Sequence, residues 1–269
     1  MIIDFHTHVF PDKIAQKTIS LLSEKGGIPA FSDGTVTGLL DRMEKAGVDI
    51  AVTLPVVTNP LQFESINRYA ESINSAFLNE KRRLISFAGI HPLCEDIDKK
   101  MDYIANAGFR GIKIHPDYQQ TFINHEGYIK ILECARANDL TVITHAGIDV
   151  GYRDMPVRCT PTLAKEVIKK VPGVKLVLAH LGASEMPDDV YEILCGEDVY
   201  LDTAYVLRFT KPETFKKILK KHGEDRILFA TDSPWSDIDG DVEILRSYNL
   251  PDTTLNKILY ENAKELLKL

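Results

Sequence analysis

Eight short runs rich in valine, isoleucine and leucine recur along the chain, and longer stretches with helical spacing separate them. This alternation is typical of β-α-β units, in which a helix joins two parallel strands. The predicted strands are residues 2–5, 50–54, 84–90, 111–114, 141–144, 175–179, 199–202 and 227–230. Eight such units predict an α/β fold of the (β/α)8 TIM-barrel type, because closure removes both sheet edges and about 250 residues is a typical length. A doubly wound open sheet is the alternative.

The segments between the strands predict an outer ring of helices. Apolar residues recur there every three or four positions, a spacing that lets one helix face pack on a barrel. The predicted helices include residues 63–80, 126–138, 161–171, 212–221 and 254–267. No low-complexity segment or Gly/Ser/Pro-rich linker marks a boundary, so we expect one domain over residues 1–269. Its longest connection, residues 9–47, contains EKGGIPAFSDG, whose glycines and proline predict a long loop or flap near the mouth of the barrel.

Composition narrows the choice of partners and compartment. The chain is 44% hydrophobic, and 39 acidic residues outnumber 32 basic ones for a net charge of -7, which disfavours nucleic acid as a partner. The first residues lack a secretory signal pattern, and no apolar stretch approaches the length that spans a bilayer. We therefore expect a cytoplasmic protein with no membrane association. Four cysteines without a CxxC pair predict reduced thiols, not disulfides or a thiolate zinc site: Cys94, Cys134, Cys159 and Cys195.

The first strand ends in DFHTH, which places polar chemistry directly behind an apolar run. Side chains alternate along a strand, so His6 and His8 share one face with Asp4 behind them. Residues two apart on a strand are about 6.6 to 7 Å apart, a gap that two imidazoles can close onto one metal ion at about 2.1 Å. A pair of structural histidines is the alternative interpretation.

Three other apolar runs end in the same way. TVITHAG ends in His145, VKLVLAHLG in His180 and RILFATDSPW in Asp232. The carboxyl ends of barrel strands share one rim, so these residues are expected to converge. Imidazoles and a carboxylate without thiolates suit Zn²⁺, Mn²⁺, Fe²⁺ or Co²⁺, with zinc as the first expectation. Such an ion lowers the pKa of bound water to about 7, and Asp232 has the chemistry to accept the proton.

DFHTH, THAG, AHLG and TDSP together resemble the motifs of the amidohydrolase superfamily. DFHTHVFP, GIKIHP and ILYENAKELL more narrowly resemble the branch that includes aminocarboxymuconate-semialdehyde decarboxylase, over essentially the whole chain. The resemblance implies that His6, His8, His145 and Asp232 hold one catalytic metal ion. It also implies that His180 lies beside the metal-bound water, where it shuttles a proton or polarises the substrate.

The fourth predicted strand, GFRGIKIHP, places Lys113 and His115 on one face. Binuclear members of the superfamily carry a carboxylated lysine on this strand that bridges two ions, so Lys113 is an alternative bridging ligand. We favour one ion, because Lys113 lies one pleat below His115 and is expected to be deeper in the barrel. His115 is then expected to line the substrate pocket, with a structural role before Pro116 as the alternative.

The loop after the fifth strand carries Arg153, and Arg208 follows the seventh strand. Either guanidinium could bind a substrate carboxylate in a bidentate manner, although a surface ion pair is the alternative for each. Both are therefore candidate substrate-binding residues.

These features predict a metal-dependent hydrolase that acts on a small carbonyl substrate such as an amide, ester or lactone. The alternative is a metal-dependent, non-oxidative decarboxylase of an unsaturated carboxylic acid. The motifs GIHP and TDSP also resemble the TatD nucleases, a second alternative that is weakened because Lys113 and His115 occupy the segment where that family has a metal-binding glutamate. A barrel that serves only as a binding module is a further hypothesis. The expected partner is a small-molecule substrate, and a homodimer is left open.

Overall fold

The computed structural model describes residues 1–269 and contains eight parallel strand positions, all at the segments predicted from the sequence. The strands are Ile3–Thr7 (β1), Ile50–Thr53 (β2), Arg83–Ser86 continued by Ala88–Gly89 (β3), Gly111–Ile114 (β4), Thr141–Thr144 (β5), Leu176–Leu178 (β6), Tyr200–Asp202 (β7) and Ile227–Leu228 (β8). Each strand pairs in parallel with its neighbours in chain order, with a break in the ladder at Phe87 within β3.

Hydrogen bonds between the two ends of the chain close the sheet. The amide of Phe5 in β1 donates to the carbonyl of Phe229 just after β8 at 2.9 Å, and Thr7 forms a parallel bridge with Ser233. The first and last strands are therefore neighbours. The prediction of a (β/α)8 TIM barrel is confirmed, and the open sheet is excluded.

Ten helices surround the strands. They are Asp12–Gly26 (α1), Val36–Ala46 (α2), Phe63–Ala76 (α3), Ile97–Asn106 (α4), Glu126–Ala137 (α5), Pro161–Lys170 (α6), Pro187–Asp189 continued by Val190–Leu194 (α7), Pro212–His222 (α8), Ile238–Ser247 (α9) and Asp252–Asn256 continued by Lys257–Glu261 and Asn262–Leu267 (α10). Short 3-10 turns lie at Pro60–Gln62, Val150–Tyr152 and Glu224–Arg226. No helix combines the length and the apolar character needed to cross a bilayer.

The connection over residues 9–47 consists mostly of helices α1 and α2. Residues 27–35 between them are not helical, and they include most of the EKGGIPAFSDG segment that was predicted to be a loop. Gly27 and Gly47 each follow one of these helices in the left-handed conformation, with φ of 63° and 71°. Glycine adopts this conformation at little cost and commonly ends helices, so the glycines mark helix ends in this segment. The expected position near the barrel mouth holds for α1, which lines the large cavity described below.

The buried side chains form two clusters. The larger, of 52 residues, joins the strands to the surrounding helices. The smaller, of 15 residues, contains Phe5 and Phe87, whose rings meet edge to face at 5.8 Å, together with Ala263, Leu266 and Leu267 of α10. The end of the chain thus shares one hydrophobic cluster with residues of the first and third strands.

Candidate metal centre

A cavity of about 760 Å³ opens where the carboxyl ends of the strands meet. It contains His6, His8, His145, His180 and Asp232, the five residues that the sequence predicts to converge. Six aromatic side chains also line it: Phe10, Tyr69, Tyr118, Tyr152, Tyr205 and Trp235. The barrel therefore brings titratable groups and flat apolar surfaces to one place.

Three of the predicted ligands form a compact group in this cavity. The Nε2 atoms of His6 and His8 are 3.2 Å apart. Asp232 Oδ1 lies 3.4 Å from His6 Nε2 and 3.1 Å from His8 Nε2. Tetrahedral ligands bound at about 2.1 Å hold their donor atoms about 3.4 Å apart. The three atoms therefore have the spacing of one face of a tetrahedral site.

The outer nitrogens of both rings are already engaged. His6 Nδ1 lies 2.8 Å from Asp202 Oδ2, and His8 Nδ1 lies 2.8 Å from the carbonyl oxygen of Leu54. Both partners accept hydrogen bonds, so each ring carries its proton on Nδ1 and presents an unprotonated Nε2. Two ring nitrogens and one oxygen of Asp232 thus converge as acceptors. These three residues, His6, His8 and Asp232, are called the triad below. A divalent ion fits them, because a cation satisfies three lone pairs for which the triad itself contains no hydrogen-bond donor.

Asp202 is a fully buried carboxylate at the end of β7. Its Oδ1 accepts hydrogen bonds from the amides of His180 at 2.9 Å and Ala204 at 3.0 Å. Burial raises the pKa of Asp202 to about 7, while these amides and the Lys113 cation favour its ionised form. Above that pH Asp202 is an anion on the Nδ1 side of His6, opposite the Nε2 atom that faces His8 and Asp232.

Lys113 in β4 reaches the site directly. Its buried Nζ lies 3.1 Å from His6 Nε2. Burial lowers the pKa of Lys113 to about 8, and the carboxylates of Asp232, Asp202 and Asp149 oppose this shift. The amine stands close enough to take part in the site, so its role as an alternative bridging ligand stays a prediction.

The backbone at His180 and Asp232 adopts the left-handed conformation, with φ of 62° and 66°. Residues other than glycine adopt it at a cost of about 1 to 3 kcal/mol and keep it where surrounding contacts require it. The amide of Asp232 donates to the carbonyl of His6 at 2.8 Å, and the amide of His180 donates to Asp202. These bonds hold both side chains toward the cavity.

His145 lies beside His180, outside the compact group. Its Nδ1 is 2.9 Å from His180 Nε2, and its ring stacks on that of His115 with centroids 4.4 Å apart and planes 8° apart. His115, His145 and Asp149 form a second group of closely spaced ligand atoms. An ion shared by two parallel stacked imidazoles would lie out of both ring planes, so this second group does not suit a metal ion.

The other side of the His145 ring faces a buried carboxylate. His145 Nε2 and Asp117 Oδ2 are 3.8 Å apart, and neither has a hydrogen-bond partner. His180 Nδ1 binds the carbonyl of Ala204 at 2.9 Å, so His180 Nε2 is an acceptor and His145 donates to it from Nδ1. In the other tautomer His145 would turn its Nε2–H toward Asp117 and free Nδ1 as a ligand. The two unpartnered atoms are therefore compatible with His145 as a fourth ligand.

His115 is buried in the cavity wall between two rings. Tyr118 stacks on it at 3.9 Å between centroids, opposite His145. Its Nδ1 accepts from the amide of Tyr118 at 3.3 Å, and its Nε2 lies 3.4 Å from Asp149 Oδ2. Burial raises the pKa of Asp149 to about 6. The structure thus places His115 on the cavity surface, as expected for a substrate-binding residue, and its role stays a prediction.

The two arginines predicted to bind a substrate carboxylate do not line the cavity. Arg153 is half exposed and forms two hydrogen bonds with Glu185, one of them 2.9 Å long. Arg208 donates to Ser236 Oγ and lies over the ring of Phe31 at 4.9 Å. Both guanidinium groups are occupied within the protein, so the arginine clamp is not supported by this geometry.

One lysine in the cavity lining was not considered in the sequence analysis. Lys25 of α1 lies at the cavity mouth with its Nζ 3.4 Å from the ring centroid of Tyr152, and no carboxylate lies within 4.0 Å of it. The sequence interpretation also missed Asp202. It ends the run VYLD just as His145, His180 and Asp232 follow theirs, so the same signal could have found it.

Comparisons with known proteins identify the family and support the fold. The Amidohydrolase family model matches residues 3–269. A TIM-barrel protein from Bordetella bronchiseptica is 17% identical with a TM-score of 0.77, and the alignment covers 99% of this chain and 98% of that one.

Two decarboxylases share the fold as well. The 5-carboxyvanillate decarboxylase of Novosphingobium aromaticivorans, solved with manganese and 4-hydroxy-3-methoxy-5-nitrobenzoic acid, is 14% identical with a TM-score of 0.75, over 100% of this chain and 96% of that one. The dihydroxybenzoic acid decarboxylase of Polaromonas sp. JS666, solved with manganese and 2-nitroresorcinol, is 16% identical with a TM-score of 0.74, over 100% and 97%. At these identities the likeness shows a common fold.

Proposed function

Because the chain belongs to the amidohydrolase family, whose enzymes are metal-dependent, we propose that it is a carboxy-lyase that removes CO₂ from a small aromatic or unsaturated carboxylic acid. This proposal reverses the order of the two reactions expected from the sequence, where hydrolysis came first. The reason is that decarboxylases recur among the solved structures that share its fold over nearly the full chain.

One observation supports metal dependence most directly: the convergence of His6 Nε2, His8 Nε2 and Asp232 Oδ1 within 3.4 Å of one another. These three residues would hold the ion, and His145 would complete the set through Nδ1. An ion bound there would supply Lewis-acid chemistry and anchor substrate oxygens. Manganese is the first metal to test, because two of the decarboxylases contain it, and zinc is the second.

His180 is proposed to move the proton. Burial lowers its pKa, so the ring is neutral at neutral pH, and its Nδ1–H is fixed on the carbonyl of Ala204. The unprotonated Nε2 can accept a proton from a substrate hydroxyl. His180 then returns that proton to the substrate carbon as the bond to the carboxylate breaks and CO₂ leaves. The hydroxyl has become an oxyanion, so the net charge is conserved.

The walls of the cavity suit a flat acid. Tyr118 and Tyr152 lie with ring centroids 5.5 Å apart, and the Lys25 cation lies at the same side of the cavity. Aromatic faces pack on planar conjugated ligands, and an ammonium without a carboxylate partner can bind an anionic substituent. We propose that Lys25 binds an acidic group of the substrate remote from the reacting carboxylate.

The test is a substrate screen on metal-free enzyme reconstituted with Mn²⁺ or Zn²⁺. Hydroxybenzoic acids and unsaturated dicarboxylic acids labelled with ¹³C at the carboxyl group would be incubated with the enzyme, and labelled CO₂ would be measured. We expect metal-dependent release of CO₂ from at least one acid and loss of activity with His180→Asn. Metal-dependent turnover of lactones, esters or amides, with no CO₂ from any acid, would instead establish the hydrolase, and cleavage of DNA would establish the nuclease.

A further inference from the structure

We infer that Asp202 is a positioning residue that keeps the proton of His6 on Nδ1 and thereby leaves Nε2 free for a metal ion. The binding of a metal ion by His6 Nε2 rests on the proposed function. The position of the proton does not, since it follows from contacts within the protein.

Asp202 on β7 reaches His6 on β1 across the intervening strand β8. It is fully buried at the end of β7, and its Oδ2 lies 2.8 Å from His6 Nδ1. The other oxygen accepts hydrogen bonds from the amides of His180 and Ala204 at 2.9 and 3.0 Å. Both oxygens therefore have fixed partners, so the carboxylate has little freedom to turn.

A second contact favours the same tautomer. Lys113 Nζ lies 3.1 Å from His6 Nε2, and in its ammonium form Lys113 has donors only. Nε2 must then be the acceptor and Nδ1 the protonated nitrogen. The Asp202 carboxylate and the Lys113 ammonium therefore both favour the tautomer of His6 that carries its proton on Nδ1.

The same carboxylate also holds the proposed proton carrier. His180 adopts φ of 62°, and its amide donates to Asp202 Oδ1. One buried side chain from β7 therefore orients a proposed ligand on β1 through the imidazole and the proposed proton carrier after β6 through the backbone. A carboxylate behind a metal-binding imidazole commonly fixes its orientation and raises its basicity, and loss of such a group lowers metal affinity about 10- to 100-fold.

Asp202→Asn tests this assignment because asparagine is nearly isosteric. Its amide oxygen can keep the two backbone hydrogen bonds, while its NH₂ group faces His6 Nδ1 as a donor. The His6 proton is then expected to move to Nε2, the nitrogen that faces the metal site. Long-range ¹H–¹⁵N NMR of metal-free protein at pH 8, with His6 assigned through His6→Gln, reports the tautomer directly.

We expect Nδ1–H at His6 in the wild type and Nε2–H in Asp202→Asn. Chelator competition should show a loss of Zn²⁺ and Mn²⁺ affinity of about 10- to 100-fold in the variant. Asp241→Asn is the matched control: Asp241 is also a buried aspartate, bonded to Ser236 and outside the cavity lining. That control should keep the wild-type tautomer and metal affinity within about twofold.

Nε2–H at His6 in the wild type, or an unchanged tautomer in folded Asp202→Asn, would overturn the inference. If the variant does not fold, the wild-type spectrum alone decides the matter. A wild-type protein with His6 on the expected tautomer but without metal affinity or CO₂ release would refute the proposed function and leave the role of Asp202 in fixing the ring intact.

Discussion

The Nε2 atoms of His6 and His8 face each other at 3.2 Å although both rings carry their protons on Nδ1. Two lone pairs at this distance repel, and the carboxylate of Asp232 adds a third acceptor. The arrangement is favourable when a cation lies among them, and this requirement leads to the first prediction.

Metal binding should stabilise the folded chain. Mn²⁺ at 100 times its dissociation constant should add about 2.7 kcal/mol, which raises the melting temperature of a chain this size by several degrees. His8→Ala should abolish this shift, because it removes one of the three acceptors. Differential scanning calorimetry with and without Mn²⁺ measures both.

The control for that experiment is His125→Ala. His125 caps α5 by accepting from the amide of Gly127, far along the chain from the triad. Its loss should lower stability by about 1 kcal/mol and leave the Mn²⁺-dependent shift unchanged. If Mn²⁺ raised the melting temperature of His8→Ala as much as that of the wild type, the ion would bind at a site other than the triad.

His180→Asn should separate metal binding from turnover. His180 donates a hydrogen bond to the carbonyl of Ala204 and is not a member of the triad, so the variant should keep its metal content. Plasma mass spectrometry measures this content. Turnover should fall by about 10²- to 10⁴-fold, since the proton carrier is lost. Loss of the metal together with turnover would instead identify His180 as a ligand.

Lys25→Met should change specificity. Methionine keeps an unbranched apolar chain against Tyr152 but removes the cation. We expect KM for substrates with a second acidic group to rise at least tenfold, with little change for monocarboxylic acids. Lys17→Met, on the exposed side of the same helix, should leave both classes unaffected. Equal effects of Lys25→Met on both substrate classes would argue against carboxylate recognition.

Asp241 should make stability depend on pH. Burial raises the pKa of Asp241 from 3.8 to about 6 in the folded chain. Between those values the folded state binds more protons than the unfolded state, so this group lowers stability as pH rises from about 4 to about 6. Above pH 6 its unfavourable contribution is constant at about 3 kcal/mol, an upper value for two pKa units.

Asp241→Asn removes that titration and can keep the contact with Ser236. Relative to the wild type, the variant should gain stability progressively from pH 4 to pH 6, up to about 3 kcal/mol. Urea unfolding at a series of pH values measures the difference. If the free energies of unfolding of the two proteins differed by the same amount at every pH from 4 to 6, the raised pKa of Asp241 would be contradicted.

The barrel and much of its site were predictable because strand positions and barrel topology are strong constraints. A polar residue at the carboxyl end of any barrel strand must lie on the same rim. His6, His8, His180 and Asp232 follow this rule, and all four line the cavity. Asp202 follows it as well, so its role could have been recognised from VYLD.

Other features depend on packing that no local pattern contains. The ring of His145 stacks on His115, and that rotamer places its Nδ1 beside His180 instead of within the triad. Arg153 pairs with Glu185, which lies 32 residues later in the sequence, and it does not line the cavity. Lys25 lies in the last turn of α1, just before the loop that the glycines predicted, and its place in the cavity lining depends on how α1 packs.

The bonds from Phe5 to Phe229 and from Thr7 to Ser233 place the candidate site across the seam between the two ends of the chain. His6 and His8 are synthesised before Asp232, which follows more than two hundred residues later in the chain. A nascent chain that stops before Asp232 has two of the three triad members and no closed ring of strands. On the proposed function, binding of the metal ion would therefore require a chain that contains both sides of this seam, and metal content would report how much of a preparation has reached its native topology.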